Sequence, residues 1–474
     1  MKKLQAAVLA LGLVLAAAPA SATVTFDYIF DGGFPLSVSD DGSVVAGNSA
    51  TGGFTAYRWT QATGLVDLGR RTWGGGAGMT VMSADGTKIA ATIGSLDSTY
   101  NTQGLWTLGS GWQELSPYPA DGGIIDMNYG SIWGLSRDGS TPVGLYWRSG
   151  QGNRAHASKW TQATGVVDLG GTITGQASRA NTVNGNGSVI AGWVETPTGP
   201  WRPAVWDNGS LVLLTVYSDN VYGGAGEARC MNAAGTIIAG FSADPVTHQR
   251  AAAMWKKTGG VWGPTQILGW LDGSEPEHGI NMVNAISADG SIAIGYTTYA
   301  GDPFDVASFI WTQDTGLIDI RTYLADNGVF VDPNFYFKGM YAMTPDGTKL
   351  YGYGEMLTAP YAKKAFRITL PGLLAVNPGT ATPRLSLSAP LPNPSSSATR
   401  LEFELTQATS ADLTIFDAAG RRIATLVRGA QPAGKRAVTW NGQDEGGQPV
   451  AAGIYFARLS TPLGASSRRI VRVN

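Results

Sequence analysis

The sequence predicts an all-β protein, with a seven-bladed β-propeller followed by a smaller β-sandwich. Three observations support this prediction: a short glycine-centred phrase recurs seven times, a tryptophan-containing phrase alternates with it, and a proline-rich stretch separates both from a last segment of different pattern. Glycine makes up 65 of the 474 residues, against a usual share of ~7%. Charged residues are only 14% of the chain, so the composition favours neutral strands joined by tight turns.

The glycine phrase sets a repeat of blade size. Its glycines recur at a mean spacing of about 51 residues, close to the ~40–50 residues of known propeller repeats. The tryptophan phrase runs from Ala56 to Gly69 and returns almost unchanged from Ala157 to Gly170. The repeat glycines are Gly42, Gly86, Gly139, Gly187, Gly235, Gly290 and Gly347.

Each phrase predicts a β-hairpin, so each unit holds four strands. Asp-Gly and Asn-Gly favour two-residue turns whose central residues both need positive φ. In the first unit the strands are predicted at Leu36–Ser39, Ser43–Asn48, Ala56–Thr60 and Leu65–Leu68. Sheets this small cannot bury their own faces, so they must stack, either in a closed ring or in an open solenoid.

The two ends of the repeat region favour the closed ring. The seventh unit has predicted strands at Tyr341–Thr344, Thr348–Tyr353 and Ala365–Leu370 but no clear fourth strand. An orphan strand, Val24–Phe30, precedes the first unit. We therefore expect the N-terminal strand to complete the last blade of a propeller that spans residues 23–370.

Residues 1–22 predict a secretory signal peptide. Two lysines precede an apolar run from Leu4 to Ala18, and small residues follow, with cleavage expected after Ala22. An uncleaved anchor is the alternative, although a spanning helix needs about 20 apolar residues. No later segment predicts an integral membrane span. We therefore expect an extracellular or outer-surface location, with the periplasm as the alternative.

The propeller repeats resemble the HAF-type extracellular repeats. In that family a Gly-x-Val-Val-Ala-Gly phrase, here Gly42–Gly47, is followed by an Ala-x-x-Trp strand and a Leu-x-Asp-Leu-Gly strand, here Ala56–Trp59 and Leu65–Gly69. The resemblance covers roughly residues 35–370. Thr344–Leu350 is also similar to the Pro-Asp-Gly strands of Tol-type propellers. Both resemblances imply a surface or periplasmic location and no shared chemistry.

A change of composition after residue 370 predicts a second domain. Residues 371–399 contain six prolines and three consecutive serines, which predict a stiff linker. The compact β module then spans residues 400–474, or begins already at residue 385. Its predicted strands are Arg400–Leu405, Asp412–Asp417, Ile423–Val427, Arg436–Trp440, Gly453–Leu459 and Arg468–Val473.

This module resembles the Ig-like module of flagellar hook-capping proteins (the FlgD-like domain), and equally the C-terminal sorting domain of type IX secretion cargo. The resemblance implies an Ig-like β-sandwich that acts either as a spacer or as a signal to export machinery. Sorting tails usually end in Lys-x-hydrophobic-hydrophobic, whereas this chain ends in Arg469–Asn474. The matching phrases are Asn393-Pro394, Thr414–Arg421, Pro432–Gly434, Val438–Gly442 and Ala452–Leu459.

Charge and cysteine content exclude two classes of interaction. The formal net charge is −2 and no basic stripe is present, so nucleic acid is not an expected partner. Cys230 is the only cysteine, so no disulfide can form within the chain. The packed core must therefore supply the stability.

No motif predicts a catalytic residue, a cofactor or a metal site. The three histidines are His156, His248 and His278. Only His278 has close acidic neighbours, which are Asp272, Glu275 and Glu277. Such a cluster can serve acid–base catalysis or bind a cation, but a solvated loop is the favoured interpretation. The Asp-Gly aspartates lack the Asp-x-Asp-x-Asp-Gly spacing of calcium loops, so turn formation explains them.

Tryptophan offers the remaining indication of function. Six tryptophans share one repeat position and are expected to pack between blades: Trp59, Trp106, Trp160, Trp206, Trp255 and Trp311. Aromatic side chains outside that register can bind a sugar or a protein partner, or only fill gaps. These are Trp73, Trp112, Trp133, Trp147, Trp193, Trp201, Trp262 and Trp270.

The favoured hypothesis is a secreted or cell-surface binding and scaffold protein without catalytic activity, whose ligand is a surface glycan or a protein. One alternative is a carbohydrate-active hydrolase or lyase that uses the propeller mouth. The other is a periplasmic assembly factor similar to Tol-type propellers. The candidate catalysts of the enzyme hypothesis are Asp126, Asp272, Glu275 and Glu277.

Overall fold

The computed structural model of the chain places most of the repeat region and of the C-terminal module. The predicted signal peptide, residues 1–22, and residues 372–384 of the predicted linker lie outside the described residues. The structure describes residues 23–49, 55–71, 78–94, 101–115, 130–148, 154–172, 175–197, 199–216, 225–244, 250–271, 280–299, 302–359, 361–371, 385–387, 390–393, 395–405, 408–417, 421–461 and 464–473.

Strands dominate both of the compact units into which the chain divides, so the predicted all-β class is confirmed. One unit comprises residues up to 310 together with 317–372, and the other residues 311–316 with 373–474. The described part contains one helix, α1 (Ile320–Asp326), which is not among the predicted elements. Helices long and apolar enough to cross a membrane are absent from the described residues.

Up to residue 369, the described strands form seven small sheets that mostly follow chain order. The strands are β1 (Thr25–Asp31), β2 (Gly33–Val38), β3 (Val44–Ser49), β4 (Thr55–Thr60), β5 (Gly64–Arg71), β6 (Val81–Met82), β7 (Lys88–Gly94), β8 (Asn101–Thr107), β9 (Gly111–Glu114), β10 (Gly130–Leu135), β11 (Pro142–Arg148), β12 (Arg154–Thr161), β13 (Gly165–Asp168), β14 (Ser178–Val183), β15 (Val189–Thr196), β16 (Gly199–Asp207), β17 (Ser210–Leu213), β18 (Gly226–Met231), β19 (Ile237–Ala243), β20 (Arg250–Thr258), β21 (Val261–Trp262), β22 (Gln266–Gly269), β23 (Asn281–Ile286), β24 (Ile292–Tyr299), β25 (Asp302–Thr312), β26 (Gly316–Asp319), β27 (Phe335–Met343), β28 (Lys349–Met356) and β29 (Lys363–Thr369).

The sheets are numbered here by their order along the chain. Six of them use consecutive strands, and only the last recruits a strand from the other end of the repeat region. They are sheet 1 (β2–β5), sheet 2 (β6–β9), sheet 3 (β10–β13), sheet 4 (β14–β17), sheet 5 (β18–β22), sheet 6 (β23–β26) and sheet 7 (β27–β29 with β1).

Strand β1 closes the ring, as expected from the sequence. It pairs antiparallel with β29, where Thr25 lies opposite Thr369 and Asp31 opposite Lys364. Two ion pairs reinforce the seam: Lys364 Nζ lies 2.9 Å from an oxygen of Asp31, and Arg367 Nη2 lies 3.1 Å from an oxygen of Asp27. The first strand of the region thus supplies the fourth strand of sheet 7.

Each sheet packs on the next, and sheet 7 packs on sheet 1. Neighbouring sheets share buried clusters, such as Trp59 of β4 with Tyr351 of β28, and Val143 of β11 with Trp206 of β16. Small four-stranded sheets in a closed succession make a β-propeller. The first unit therefore has a propeller fold.

The in-register tryptophans pack between sheets, as predicted. Trp206 Nε1 donates to the carbonyl of Leu169 at 2.9 Å, and Trp255 Nε1 donates to the carbonyl of Thr215 at 2.9 Å. In both pairs the acceptor follows the last strand of the preceding sheet. Trp206 and Trp255 are fully buried, so each buries a large apolar area between sheets and satisfies its polar atom.

The Asp-Gly turns differ from the two-residue turns predicted for them. In the first turn only Gly42 has positive φ, at 72°, and five residues separate β2 from β3. One oxygen of Asp41 accepts from Ser39 Oγ at 2.6 Å and from the Ser43 amide at 2.9 Å. An aspartate that bonds its own backbone two residues on makes an Asx-type turn, so this side chain forms the turn itself.

The innermost strands of six sheets each carry a β-bulge, and the residue before the bulge pairs with a second recurring glycine, which lies five positions after the repeat glycine of the turn. A Cβ on Gly192 would lie 1.9 Å from the Arg179 carbonyl oxygen, so only glycine fits. The bulge residues are Leu36, Trp133, Asn181, Arg229, Asn284 and Tyr341. The glycines, each 11 positions later, are Gly47, Gly144, Gly192, Gly240, Gly295 and Gly352.

Among its described residues, sheet 2 lacks both the glycine and the bulge. Ala91 stands where the other sheets have the glycine. The innermost strand of this sheet, β6, is only two residues long and pairs without a bulge, Val81 with Ala90 and Met82 with Ile89. The bulge and the glycine therefore occur together.

The second unit is a β-sandwich that contains all six predicted strands. Its two main sheets, β30-β31-β36 and β34-β33-β37-β38, enclose a core around Trp440, Phe403 and Ile415. Strand β30 lies within the predicted linker and pairs with β31, so the module includes residue 385. The strands are β30 (Leu385–Leu387), β31 (Thr399–Leu405), β32 (Thr409–Ser410), β33 (Asp412–Asp417), β34 (Arg422–Val427), β35 (Ala430–Gln431), β36 (Gly434–Trp440), β37 (Gly453–Thr461) and β38 (Gly464–Arg472).

The bulge–glycine relation predicts a steric penalty at Gly192. Gly192→Ala should lower the free energy of unfolding by about 1–3 kcal/mol or more, because the new methyl group collides with backbone that cannot move aside. Urea denaturation of both proteins measures the difference. Gly171→Ala is the matched control, since a Cβ there meets no atom closer than 3.8 Å. Equal losses in the two variants would contradict the explanation.

The Asx-type turns predict a specific acid sensitivity. Hydrogen bonds from Ser39 and Ser43 lower the pKa of Asp41 to about 2, against about 3.9 in an unfolded chain. A carboxylate with a lowered pKa stabilises the fold above its unfolded pKa, and that contribution is lost as the pH falls through its folded pKa. The pKa is lowered at Asp41, Asp85, Asp138, Asp289 and Asp346.

A variant with all five aspartates changed to Asn should keep the turns and lose this titration. Asn186 already occupies the equivalent position in sheet 4, where its Oδ1 accepts from Ser188 Oγ at 2.7 Å. Melting temperatures between pH 5 and pH 2 should therefore fall less steeply for the variant than for the parent chain. Asp326→Asn, on the exposed face of α1, is the control. An unchanged slope in the five-site variant would refute the assignment.

Candidate functional site

A cavity of about 180 Å³ lies on the axis of the propeller. The innermost strands of all seven sheets line it, together with the turns that follow these strands in sheets 3, 5, 6 and 7. All six bulge residues are part of this lining. A bulge re-aims a side chain that would otherwise follow the regular alternation of the strand, so the same local irregularity in successive sheets collects side chains at one place.

A buried ion network borders the cavity, and two of its members, Asn181 and Arg229, line it. Glu227 is 7% exposed, and one of its oxygens accepts from Arg179 Nη2 at 2.5 Å and from Arg229 Nη1 at 3.2 Å. Asn181 Nδ2 donates to the same oxygen at 2.9 Å. Arg179 and Asn181 belong to β14, whereas Glu227 and Arg229 belong to β18. The network therefore joins sheets 4 and 5 and carries one surplus positive charge.

The two arginines keep Glu227 ionised. Burial alone would raise the pKa of this carboxyl group, but Arg179 and Arg229 outweigh it and hold the pKa below its usual value. Burial also opposes the charge of Arg229, yet Glu227 raises the pKa of that guanidinium above its ordinary value. Glu227 is thus a fixed anion and has no proton to donate near neutral pH.

Aromatic rings cover the guanidinium groups. The Arg179 guanidinium carbon lies 3.8 Å from the centroid of the Trp133 ring and 5.4 Å from that of Trp193. The Arg229 guanidinium carbon lies 5.3 Å from the Trp133 ring. Trp201 packs behind Trp193, with its ring centroid 5.3 Å from that of Trp193; of these three tryptophans, only Trp133 lines the cavity. Cation–π contacts of this kind favour the charged form of the arginines and orient them.

Sheets 6 and 7, which follow sheet 5 around the ring, contribute neutral polar side chains. Asn284 Nδ2 donates to the carbonyl of Met340 at 2.9 Å, and its Oδ1 is buried with no hydrogen-bond partner. The ring of Tyr341 lies 5.9 Å from that of Tyr296 and 6.0 Å from that of Tyr353. Burial raises the pKa of Tyr353 to about 12 and that of Tyr341 well above its usual value, so both are neutral hydroxyls.

Cys230 lines the cavity but is not activated. Burial raises the pKa of its thiol to about 12, so the reactive thiolate is not populated near neutral pH. Its sulfur lies 3.7 Å from the carbonyl oxygen of Ala239. This cysteine acts as a small packing residue.

The acids considered as catalysts cannot be placed at the cavity. Asp126, Asp272, Glu275 and Glu277 lie outside the described residues, as do His248, His278 and Trp73. His156 lies on β12, where its Nδ1 is 3.0 Å from an oxygen of Asp168, and it does not line the cavity. Among the described residues, no three His, Cys, Asp or Glu side chains are grouped as a metal site.

Six of the seven described off-register tryptophans lie on strands, and the seventh, Trp270, follows β22. Trp133, Trp193 and Trp201 belong to β10, β15 and β16 and meet at the cationic wall. Trp112 and Trp262 lie on outer strands; Trp112 Nε1, for example, donates to the Leu68 carbonyl at 2.8 Å. Sugar or protein binding by these side chains stays a hypothesis. Two described tryptophans are exposed, namely Trp147 and Trp270.

Sequence reasoning missed the charged members of the site. Arg179, Glu227, Arg229 and Asn181 stand in the variable stretch before each turn phrase, where no motif marks them. One signal was present: the bulge position lies 11 residues before the second recurring glycine of each unit, such as Gly192 or Gly240, and Arg179 and Glu227 lie two residues before the bulge. A comparison of these two positions in every unit would have identified Arg179, Asn181, Glu227 and Arg229 as one set of polar side chains.

One family matches part of the chain. Residues 393–462 match the FlgD Ig-like domain, which confirms the resemblance of the C-terminal module to the hook-capping Ig-like module. The resemblance to sorting domains of type IX cargo and that to HAF-type repeats stay predictions. No curated protein matches the chain.

Solved structures similar to the chain include several propellers. TolB from Acinetobacter baumannii is 16% identical with a TM-score of 0.36, and the match covers 58% of this chain and 62% of TolB, less than two thirds of its length. The β-propeller domain of the Trilobed protease from Pyrococcus furiosus is 11% identical with a TM-score of 0.45, over 71% of this chain and 95% of that domain. An oligogalacturonate lyase in complex with manganese is 14% identical with a TM-score of 0.39, over 74% and 97%.

The ion network predicts a large cost for removing its anion. Glu227→Gln should lower the free energy of unfolding by about 3 kcal/mol, because two partly buried arginines would then face each other without a counter-charge. Chemical denaturation measures this loss. Glu355→Gln is the control, since the pair between Glu355 and Lys363 is long, at 3.7 Å, and solvent-exposed and should contribute less than about 1 kcal/mol. A loss at Glu227 no larger than at Glu355 would show that the network contributes little.

Proposed function

We propose that this chain is an exported binding protein without catalytic activity, whose propeller of seven blades offers its axial cavity to a ligand at the cell surface. The observation that carries the proposal is the convergence of six bulge residues on one cavity with a cationic and aromatic wall. Convergent polar groups in a partly apolar concavity are the usual form of a ligand site.

The charges at the cavity favour binding over hydrolysis. Glycoside hydrolysis commonly uses two carboxyl groups about 5–10 Å apart, one of which must be protonated. The described lining of the cavity contains no Asp or Glu. The nearby Glu227 is committed to two arginines and stays ionised. This set can hold a ligand but has no acid to donate a proton.

The C-terminal module supports a role at the surface. Its match to the FlgD Ig-like domain favours a spacer that carries the propeller, and the similarity to type IX sorting domains favours a signal read by export machinery. The predicted signal peptide and the HAF-type resemblance both favour an outer-surface location. A periplasmic assembly factor is the alternative, and it would use the module only as a spacer.

The proposal predicts both a location and a binding activity. Expressed in full in a Gram-negative bacterium with intact type IX machinery, the chain should be found at the outer surface or in the medium, and a variant without residues 1–22 should stay in the cytoplasm. Purified residues 23–474 should retain members of a panel of glycans and surface proteins. The same incubations, analysed by mass spectrometry, should show no new product.

Two results would count against the proposal in different ways. Conversion of any glycan in the panel would make the chain an enzyme. Retention in the periplasm of cells with intact type IX machinery would favour the assembly-factor alternative. An Arg229→Met variant serves as the control for binding through the cavity, because it removes the cation of this network that lines the cavity and leaves Arg179 paired with Glu227.

A further inference from the structure

The charge of the cavity is unbalanced by one. Arg179 and Arg229 share the single carboxylate Glu227. Arg137 also lines the cavity, but it forms an ion pair with Asp40 and contributes no surplus. Arg229 itself is part of the lining, with its side chain 13% exposed. A partly desolvated surplus cation attracts one negative charge, and the planar guanidinium fork fits a carboxylate best.

A second group in the cavity requires a hydrogen-bond donor. The Oδ1 atom of Asn284 is buried without a partner, while its amide nitrogen is fixed on the Met340 carbonyl. That bond settles the orientation of the amide, since the nitrogen must face the carbonyl oxygen. An unsatisfied buried acceptor costs about 1–3 kcal/mol, so a ligand that supplies a hydroxyl here gains the bond that the protein lacks.

The size of the cavity suits a small ligand. A volume of about 180 Å³ corresponds to about six water molecules at ~30 Å³ each. This is enough for a compound of monosaccharide size or smaller. The Tyr341 ring, which also lines the cavity, offers an apolar face beside the polar groups.

From these three features we infer that the cavity binds a small hydroxycarboxylate, with its carboxylate on Arg229 and a hydroxyl donated to Asn284. The inference rests on the proposed binding function and specifies its ligand class. Sugar acids and smaller hydroxy acids share the required chemistry. Neutral sugars lack the anion, and simple fatty acids lack the donor.

Calorimetric titration of residues 23–474 with matched probes tests the inference. Glucuronate and gluconate should bind, whereas glucose and hexanoate should bind at least about tenfold more weakly. Glucose lacks the carboxylate for Arg229, and hexanoate lacks the hydroxyl for Asn284. Arg229→Met removes the surplus cation and leaves Arg179 paired with Glu227, so this variant should lose at least about tenfold in affinity for glucuronate. Lys363→Met, which removes an exposed cation from β29, should bind as the parent chain does.

A second variant distinguishes an effect on binding from an effect on folding. Asn284→Leu keeps the charges and should reduce the preference for glucuronate over hexanoate, while a melting curve reports on its fold. Equal affinity for glucuronate and glucose, no binding of either acid, or tighter binding of inorganic phosphate would overturn the inference. If neither acid binds but a neutral glycan or a protein does, the proposed binding function stands and the inference about hydroxycarboxylates is wrong. If a probe is converted to product, the proposed function itself fails.

Discussion

The propeller depends on a close approach between neighbouring strands that leaves no room for a Cβ atom. In six of the seven described sheets a backbone carbonyl of the innermost strand occupies the place where the Cβ of the neighbouring residue would stand. Glycine at that position lets the two strands approach, and the extra residue of the bulge is then turned toward the axis. One steric constraint thus fixes both the repeat phrase and the side chains that reach the cavity.

The bulges also supply the neighbours that stabilise the buried charges of Arg179, Glu227 and Arg229. A buried ion pair is compensated only when its geometry is good and its remaining hydrogen bonds are satisfied. Here Asn181 adds a third donor to Glu227, and the Trp133 ring covers a guanidinium face. The bulges supply these neighbours from two sheets. A regular strand alternation would have separated them.

The architecture could be predicted from the sequence, because turn residues and alternating strands are local signals. The strands of the first unit, the closing strand β1 and the six strands of the C-terminal module all followed from such signals. Helix α1 was missed because it is short and its burial of Ile320 and Leu324 depends on sheet 7 and β24. The ion network was missed because Arg179 and Glu227 lie 48 residues apart, and only the packing of two sheets brings them together.

The pairing of β1 with β29 has a consequence for the order in which the protein can form. Asp27 and Arg367 are separated by 340 residues, and a chain made from its N-terminus holds β1 long before its partner exists. Until then, Phe26 and the backbone groups of β1 lie on an open edge that invites pairing with other chains. Sheets 1 to 6 can assemble from local contacts, but the ring waits for its last residues. We therefore expect closure to be a late and slow event, because it depends on long-range contacts, namely the pairing of β1 with β29 and the packing of sheet 7 on sheet 1.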